Sequence, residues 1–208
     1  MRAGAIITAA GKSSRMGTFK PLLKIGGITA AERVIHSFHD AGINDIVVIT
    51  GKNAEDLEKR LSYLNVVFHK NEMYEQNEML DSIKIGLNHI KDKCDKILIT
   101  PVDVPLFTSD TVKKLLMSEA NVSIPVNSDK TGHPIMINTD AAGEILKYDG
   151  YGGLKGAIVS LSMEVEHIEV NDSGILYDMD TQADYSGIVE LYNEQFGGEK
   201  GRNERAQE

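Results

Sequence analysis

The chain has 208 residues, of which 41% are hydrophobic, and its formal net charge at pH 7 is -9. This length and composition are those of one globular domain with a core of its own. The excess of acidic side chains argues against nucleic acid as a partner, and no apolar run approaches the length that spans a membrane. Cys94 is the one cysteine in the sequence, which excludes an internal disulfide and favours a reducing cytoplasm as the location.

The first half of the sequence predicts strands that alternate with helices. Short apolar or β-branched runs predict strands before Gly11 and at residues 45–50, 66–68 and 96–100. Helices are expected after the capping box at residues 29–32, after Asn53, over residues 77–91 and from Thr108 or Ser109. This alternation predicts βαβ units, a mostly parallel sheet and helices on both of its faces.

The second half is less regular but continues the same α/β pattern. Strands are expected at residues 122–126, 133–137 and 164–170, and helices at about 139–147, at 154–162 and after the capping box at 181–184. We therefore predict one Rossmann-like α/β domain over residues 1–196. The polar remainder, residues 197–208, is expected to be a disordered tail.

The loop after the first predicted strand is rich in glycine, serine and basic residues. Residues 9–17 read A-A-G-K-S-S-R-M-G, and K-P-L-L follows at residues 20–23. Small residues let the backbone turn several N–H groups toward one anion, and the basic side chains add positive charge. No Asp or Glu precedes Glu32, although the whole chain is acidic. The loop is therefore predicted to bind a polyphosphate, the alternative being a basic surface loop.

Two better-known glycine-rich loops do not match this segment. The sequence lacks G-x-x-x-x-G-K-[ST], so the loop is not a P-loop, and it lacks G-x-G-x-x-G, the dinucleotide fingerprint. The missing fingerprint disfavours an NAD-dependent oxidoreductase.

Two acidic segments are candidates for a metal site beside the loop. Asp103 follows the fourth predicted strand, between prolines 101 and 105, and ligands of open parallel sheets bind beyond the carboxyl ends of strands. A carboxylate beside a triphosphate usually acts through Mg²⁺, which takes one or two carboxylates. Asp180 is the expected second ligand, with Asp178 pointing to the opposite side. The alternatives are a helix cap at Asp103 and a solvated turn at Asp180.

These motifs together resemble the molybdopterin cytidylyltransferase branch of the MobA-like NTP transferase family. The resemblance covers residues 4 to about 192 and rests on five segments: the first loop, N-E-M-L-D-S at 77–82, V-D-V-P at 102–105, G-H-P at 132–134 and D-M-D-T-x-x-D at 178–184. It implies a GT-A-like nucleotide-diphospho-sugar transferase fold. The guanylyltransferase branch has Leu-Ala-Gly-Gly where this chain has T-A-A-G at residues 8–11. Isoprenoid cytidylyltransferases share the first loop but continue P-K-Q.

The resemblance implies transfer of CMP from CTP to the terminal phosphate of molybdopterin, with Mg²⁺ as the metal and release of pyrophosphate. Lys20 would contact the α-phosphate, Arg15 the β- and γ-phosphates, and Asp103 and Asp180 would hold the metal. These roles make Arg15, Lys20 and Asp103 the expected catalytic residues. The expected nucleotide-binding residues are Ala9, Ala10, Gly11, Lys12, Ser13, Ser14, Arg15, Lys20, Asn77 and Ser82.

One segment on the acceptor side departs from the family pattern. His133 and Lys155 are the expected acceptor-binding residues, but residues 153–157 read G-L-K-G-A where relatives carry G-A-R. Lysine lacks the planar fork with which arginine binds a phosphate. Two alternatives stay open: a non-catalytic carrier that passes the cofactor to a molybdenum hydroxylase, and a cytidylyltransferase for another phosphate.

Overall fold

The computed structural model of the chain describes residues 1–11 and 17–204. Its strands are β1 (Ala3–Ala9), β2 (Lys24–Ile25), β3 (Ile28–Thr29), β4 (Asp45–Thr50), β5 (Val67–Lys70), β6 (Lys96–Pro101), β7 (Val122–Asn127), β8 (Lys130–Thr131), β9 (Ile135–Asn138) and β10 (Val165–Glu169). Its helices are α1 (Ala30–Asp40), α2 (Ala54–Leu61), α3 (Met79–Ile90), α4 (Ser109–Leu116), α5 (Thr139–Lys147), α6 (Gly153–Ser160) and α7 (Gln182–Glu204). Short 3-10 turns lie at Lys20–Leu22 and Ser173–Leu176.

The main sheet has the strand order β10-β7-β9-β6-β1-β4-β5, and β8 pairs with β7. Strand β1 is parallel to both of its neighbours, β4 and β6, while β9 runs antiparallel between β6 and β7. The prediction of a mostly parallel sheet is confirmed. Because β1 and β6 are adjacent and parallel, the loops that follow them leave the sheet side by side.

Two apolar cores cover the two faces of the sheet. Successive side chains of a strand point to opposite faces, so Ile7 packs with residues of α1, α2 and α4, whereas Ile6 packs with residues of α3, α5 and α6. Both side chains are fully buried, as expected for a central parallel strand. Helices therefore cover both faces, as predicted. A third cluster consists of Ile25, Ala30, Leu106, Met179 and Ile188.

Several predicted elements are present with shifted ends. The helix predicted over residues 77–91 begins at Met79, because Glu78 and Asp81 form a capping box there. The strand predicted at 133–137 begins at Ile135. Asn53 precedes α2 as predicted, but its backbone is left-handed, with φ 54°, and its side chain makes no capping hydrogen bond.

Helix α7 packs against the short hairpin of β2 and β3. The Tyr185 hydroxyl donates to the Lys24 carbonyl at 2.6 Å, and the Arg33 guanidinium lies 3.8 Å from the centre of the Tyr192 ring. The helix continues to Glu204, so the predicted domain boundary at residue 197 falls inside it. Residues 205–208 lie outside the described residues, and the boundary stays a prediction. Neither α7 nor any other described helix is long and apolar enough to cross a membrane.

The start of α1 is held by a buried carboxylate. Glu32 is fully buried and accepts hydrogen bonds from the Thr29 backbone and hydroxyl, both at 2.7 Å, from Arg60 at 3.0 Å and from the Tyr63 hydroxyl. Burial by itself raises the pKa of Glu32, but the hydrogen bonds from Tyr63, Thr29 and Arg60 outweigh it and lower the pKa to about 2. The ionised carboxylate therefore stabilises the fold.

Replacing Glu32 by glutamine is expected to lower the free energy of unfolding at pH 7 by about 1–3 kcal/mol, because buried donors lose a charged acceptor. The folded-state pKa of about 2 lies below the ordinary value of 4.5. The stability from ionised Glu32 is thus fully present above pH 4.5 and is lost as the pH falls toward 2. Urea unfolding at several pH values should show the two proteins converging at low pH. Exposed Glu144→Gln is the control, and a constant difference across this range would contradict the assignment.

Candidate active site

A cleft of about 360 Å³ lies beyond the carboxyl ends of β1 and β6. Its lining comes from four parts of the chain that are distant in sequence. The lining residues are Thr8, Ala9, Ala10, Gly11, Lys20, Pro21, Tyr74, Asn77, Glu78, Met79, Ser82, Pro101, Val102, Asp103 and Asp180. An open α/β sheet places its ligand site at this position, so the cleft is the candidate active site.

The end of β1 forms the floor of the cleft. The Val102 N–H donates to the Thr8 carbonyl at 3.0 Å, which ties the loop after β6 to β1. Ala10 is buried against Gly51, where an added methyl group would lie 2.9 Å from the Ala10 Cα. Glycine at position 51 therefore permits the close approach of the two loops. The predicted residues Lys12, Ser13, Ser14 and Arg15 lie outside the described residues.

Lys20 joins the two predicted metal ligands. Its ammonium nitrogen lies 2.8 Å from Asp180 Oδ1 and 3.2 Å from Asp103 Oδ2, and the lysine side chain is only 12% exposed. Burial lowers the pKa of Lys20, but the hydrogen bonds and charges of Asp180 and Asp103 outweigh this effect and raise it. Lys20 is thus held as a cation in the cleft, between two carboxylates.

The two carboxylates meet because the backbone of one segment is bonded to the other. The Met179 N–H donates to the Asp103 carbonyl at 3.0 Å, and the Met179 side chain is fully buried in the third cluster. Burial of the middle residue leaves Asp178 and Asp180 on the same side of this segment. The expectation that Asp178 points away is wrong. Burial first, and then the charges of Asp180 and Asp103, raise the pKa of Asp178.

A second buried carboxylate, which the sequence analysis did not identify, supports this arrangement. Asp172 accepts hydrogen bonds from the Thr108 N–H at 2.8 Å, the Thr108 hydroxyl at 2.9 Å, the Thr111 hydroxyl at 2.6 Å and the Gly174 N–H at 3.0 Å. It therefore connects the start of α4 to the chain that leads to Asp180. The sequence offers no local signal for the bonds to Thr108 and Thr111, because these two partners are more than sixty residues away.

The wall opposite the carboxylates is built around Asn71. This side chain bonds to Asn77 and Ser82, both predicted nucleotide-binding residues that line the cleft. Tyr74 lines the same wall. Sequence reasoning missed Asn71 and Tyr74. The position of Asn71 at the end of β5, where ligands of such sheets bind, was the available signal.

The two predicted acceptor-binding residues do not line the cleft. Lys155 lies at an exposed position of α6. His133 follows Gly132, and its Nδ1 atom is buried without a hydrogen-bond partner among the described residues. Burial lowers the pKa of His133, although the charge of Asp103 and a hydrogen bond with the Ile99 backbone act in the opposite direction. A neutral imidazole is therefore favoured at neutral pH.

Asp103 and Asp180 are the described residues best suited to hold a divalent cation. Both carboxylates lie within 3.2 Å of one ammonium nitrogen, so they converge on one point. In the described part of the chain, no group of three or more His, Cys, Asp or Glu side chains could hold a metal by itself. Two carboxylates are nevertheless a suitable donor set for a hard divalent cation that completes its coordination with oxygen atoms of waters or of a bound ligand.

Comparisons with known proteins point to one family. The family model described as "MobA-like NTP transferase domain" matches residues 5–165. The chain is 26% identical over 191 residues to the molybdenum cofactor cytidylyltransferase of Escherichia coli, covering 91% of this chain and 96% of that protein. It is 33% identical over 118 residues to the bifunctional protein GlmU of Staphylococcus haemolyticus, but this match covers 56% of the chain and 26% of GlmU.

A solved structure confirms the predicted fold. A nucleotidyl transferase from Methanothermobacter thermautotroptrophicus superposes with a TM-score of 0.83 at 22% sequence identity. The match covers 93% of this chain and 99% of that structure. The chain thus has the GT-A-like nucleotidyltransferase fold that the sequence resemblance implied.

Proposed function

We propose a specific reaction and specific substrates for this chain. The chain belongs to the MobA-like NTP transferase family and is therefore a nucleotidyltransferase. The proposed reaction moves CMP from CTP to the terminal phosphate of molybdopterin and releases pyrophosphate. One observation carries the proposal: Lys20, Asp103 and Asp180 meet within 3.2 Å in a cleft at the end of β1. A lysine and two metal-binding carboxylates are the charges that phosphoryl chemistry on a nucleoside triphosphate requires.

The reaction needs charge stabilisation more than proton transfer. A phosphate monoester is mostly dianionic at pH 7, so the acceptor oxygen attacks the α-phosphorus of CTP without a general base. One P–O bond forms there, and the bond between the α-phosphorus and the bridging oxygen breaks as pyrophosphate leaves. Lys20 is proposed to neutralise the α-phosphoryl oxygens and Arg15 the β- and γ-phosphates.

Asp103 and Asp180 are proposed to hold Mg²⁺. When bound, the metal neutralises charge that develops on the phosphates. Both carboxylates now contact Lys20. The ammonium group therefore has to exchange at least part of this contact for phosphate oxygens when the nucleotide binds.

The proposed preference for CTP over GTP rests on Ala10. Its methyl group is buried against Gly51 at the floor of the cleft, in a loop where the guanylyl branch carries glycine. Alanine gives less room than glycine for the close approach of a large base. A pyrimidine tolerates this loss of space better than a purine does.

Molybdopterin as the acceptor is supported by the Escherichia coli relative, whose name states molybdenum cofactor cytidylyltransferase. His133 and Lys155 remain the proposed acceptor-binding residues, and a molybdenum hydroxylase remains the proposed recipient of the product. A pure carrier has no need of two carboxylates that converge on a lysine in a nucleotide-sized cleft. For this reason we favour the enzyme over the carrier.

Release of pyrophosphate from each of the four NTPs, with and without molybdopterin, tests the proposed function. We expect release from CTP in the presence of both molybdopterin and Mg²⁺, and its loss when EDTA removes the metal. Release that depends on phosphocholine instead would retain the enzyme class and change the acceptor. Binding of molybdopterin without release from any NTP would indicate the carrier.

Lys20→Ala is expected to lower kcat by about 10²–10³, because the transition state loses one positioned positive charge. Lys24→Ala is the matched control, since Lys24 is exposed on β2 and only its backbone carbonyl makes a described bond. Steady-state kinetics with CTP and molybdopterin would measure both variants. A Lys20 variant within about threefold of wild type would exclude the role at the α-phosphate.

Ala10→Gly is expected to raise the use of GTP relative to CTP, measured as the ratio of kcat/KM values, by at least about threefold. The physical reason is the space gained at the floor of the cleft. Ala5→Gly removes the same methyl group from the far end of β1, where it lines the core and not the cleft, and should leave the ratio unchanged. Equal use of GTP and CTP by the wild-type protein would contradict this interpretation of residue 10.

A further inference from the structure

Asn71 is a buried polar residue that does not line the cleft itself but forms hydrogen bonds with two residues that do. It is 2% exposed, and its backbone N–H donates to the Thr50 carbonyl at 2.8 Å, which anchors it beside the end of β4. Its side chain makes three hydrogen bonds: to the Met73 N–H at 3.1 Å, to Asn77 at 3.2 Å and to the Ser82 hydroxyl at 3.0 Å. A buried amide with this many partners has one possible orientation.

The Met73 backbone fixes that orientation. A backbone N–H can only donate, so the Asn71 atom facing it must be the amide oxygen. The Asn71 amide nitrogen then points at Ser82, whose oxygen accepts from it. The same Asn71 oxygen also accepts a hydrogen bond from the Asn77 side chain, so the Asn77 atom in this bond must be the amide nitrogen. One backbone group thus determines the direction of all three side-chain bonds.

Asn77 and Ser82 each keep one hydrogen-bonding group that Asn71 does not use, and these two groups differ in polarity. Asn77 uses its amide nitrogen on Asn71, so its amide oxygen is left as an acceptor. Ser82 accepts through its oxygen, so its hydroxyl hydrogen is left as a donor. No described residue accepts that hydrogen or donates to that amide oxygen, and both residues line the cleft.

We propose that Asn71 is a positioning residue that sets the hydrogen-bond polarity of the base-binding wall. The inference rests on the proposed use of CTP. The Asn77 oxygen accepts from the 4-amino group of cytosine, and the Ser82 hydroxyl donates to cytosine N3. Uracil in the same pose presents an oxygen at position 4 and an N–H at position 3, so both contacts would be mismatched. Asn71 therefore acts on the choice between the two pyrimidines without touching either.

Asn71→Asp reverses one bond and preserves the shape of the side chain. The aspartate still accepts from the Met73 N–H and from the Asn77 amide, but it no longer donates to Ser82. The Ser82 hydrogen turns toward the new carboxylate, and the wall loses its donor. We expect the ratio of CTP to UTP affinity, measured by titration calorimetry with Mg²⁺ and no acceptor, to fall about tenfold or more.

Two further variants separate positioning from loss of structure. Asn65→Asp adds the same charge at an exposed residue outside the cleft and should leave the ratio unchanged. Ser82→Ala should lower the ratio like Asn71→Asp, and Asn71→Asp should change it little further in the Ser82→Ala background, because it acts through that hydroxyl. A merely structural role would weaken CTP and UTP equally in all of these proteins.

The outcomes distinguish this inference from the proposed function. The inference alone is overturned if the wild-type protein prefers CTP and the ratio of CTP to UTP affinity in Asn71→Asp stays within about twofold of the wild-type ratio. A lowered ratio in a protein that transfers no CMP to molybdopterin supports the inference and contradicts the proposed acceptor. A wild-type protein that binds UTP or GTP more tightly than CTP overturns both.

Discussion

The site depends on one arrangement of charges, the Lys20 ammonium between the carboxylates of Asp103 and Asp180. The three residues are separated by 83 and 160 positions in sequence, so no local preference can bring them together. Their proximity requires a sheet in which the loop after β6 emerges beside the loop after β1, and a terminal segment that returns to the same edge. Partial burial strengthens the attraction between these charges compared with the same pairs in water.

Apolar and polar anchors outside the cleft maintain this arrangement. Met179 buries its side chain beneath α7 while its backbone bonds to the Asp103 carbonyl, so the carboxylate of Asp180 is held by its neighbour. Asp172 bonds the chain that leads to this point to the start of α4. On the opposite wall, the buried amide of Asn71 holds Asn77 and Ser82 in place by hydrogen bonds. In each case the residue that faces the cleft is positioned by a buried residue that does not.

This division explains the chemistry available to the cleft. The carboxylates and Lys20 lie on the side where phosphates would be neutralised, and the uncharged wall of Asn77 and Ser82 offers directional hydrogen bonds. Charges suit a polyphosphate, which is alike in every nucleotide, whereas hydrogen bonds of fixed direction distinguish one base from another. Separate walls allow the reaction and the choice of nucleotide to depend on different residues.

The sequence by itself determined the α/β class, the alternation of elements and the pairing of a basic loop with Asp103, because each follows from local periodicity or from residue types next to a strand end. It also contained the motifs that identify the family. The burial of Met179 was not foreseen, and the side of Asp178 was wrongly inferred, although alternation along an extended segment places residues 178 and 180 together. Only the tertiary structure decided that Asp172 and Asn71 are organising residues. Asp172 bonds to Thr108 and Thr111, which are more than sixty residues away, and Asn71 bonds to side chains of a loop and of α3; hydrogen bonds of this kind leave no periodic signal in a sequence.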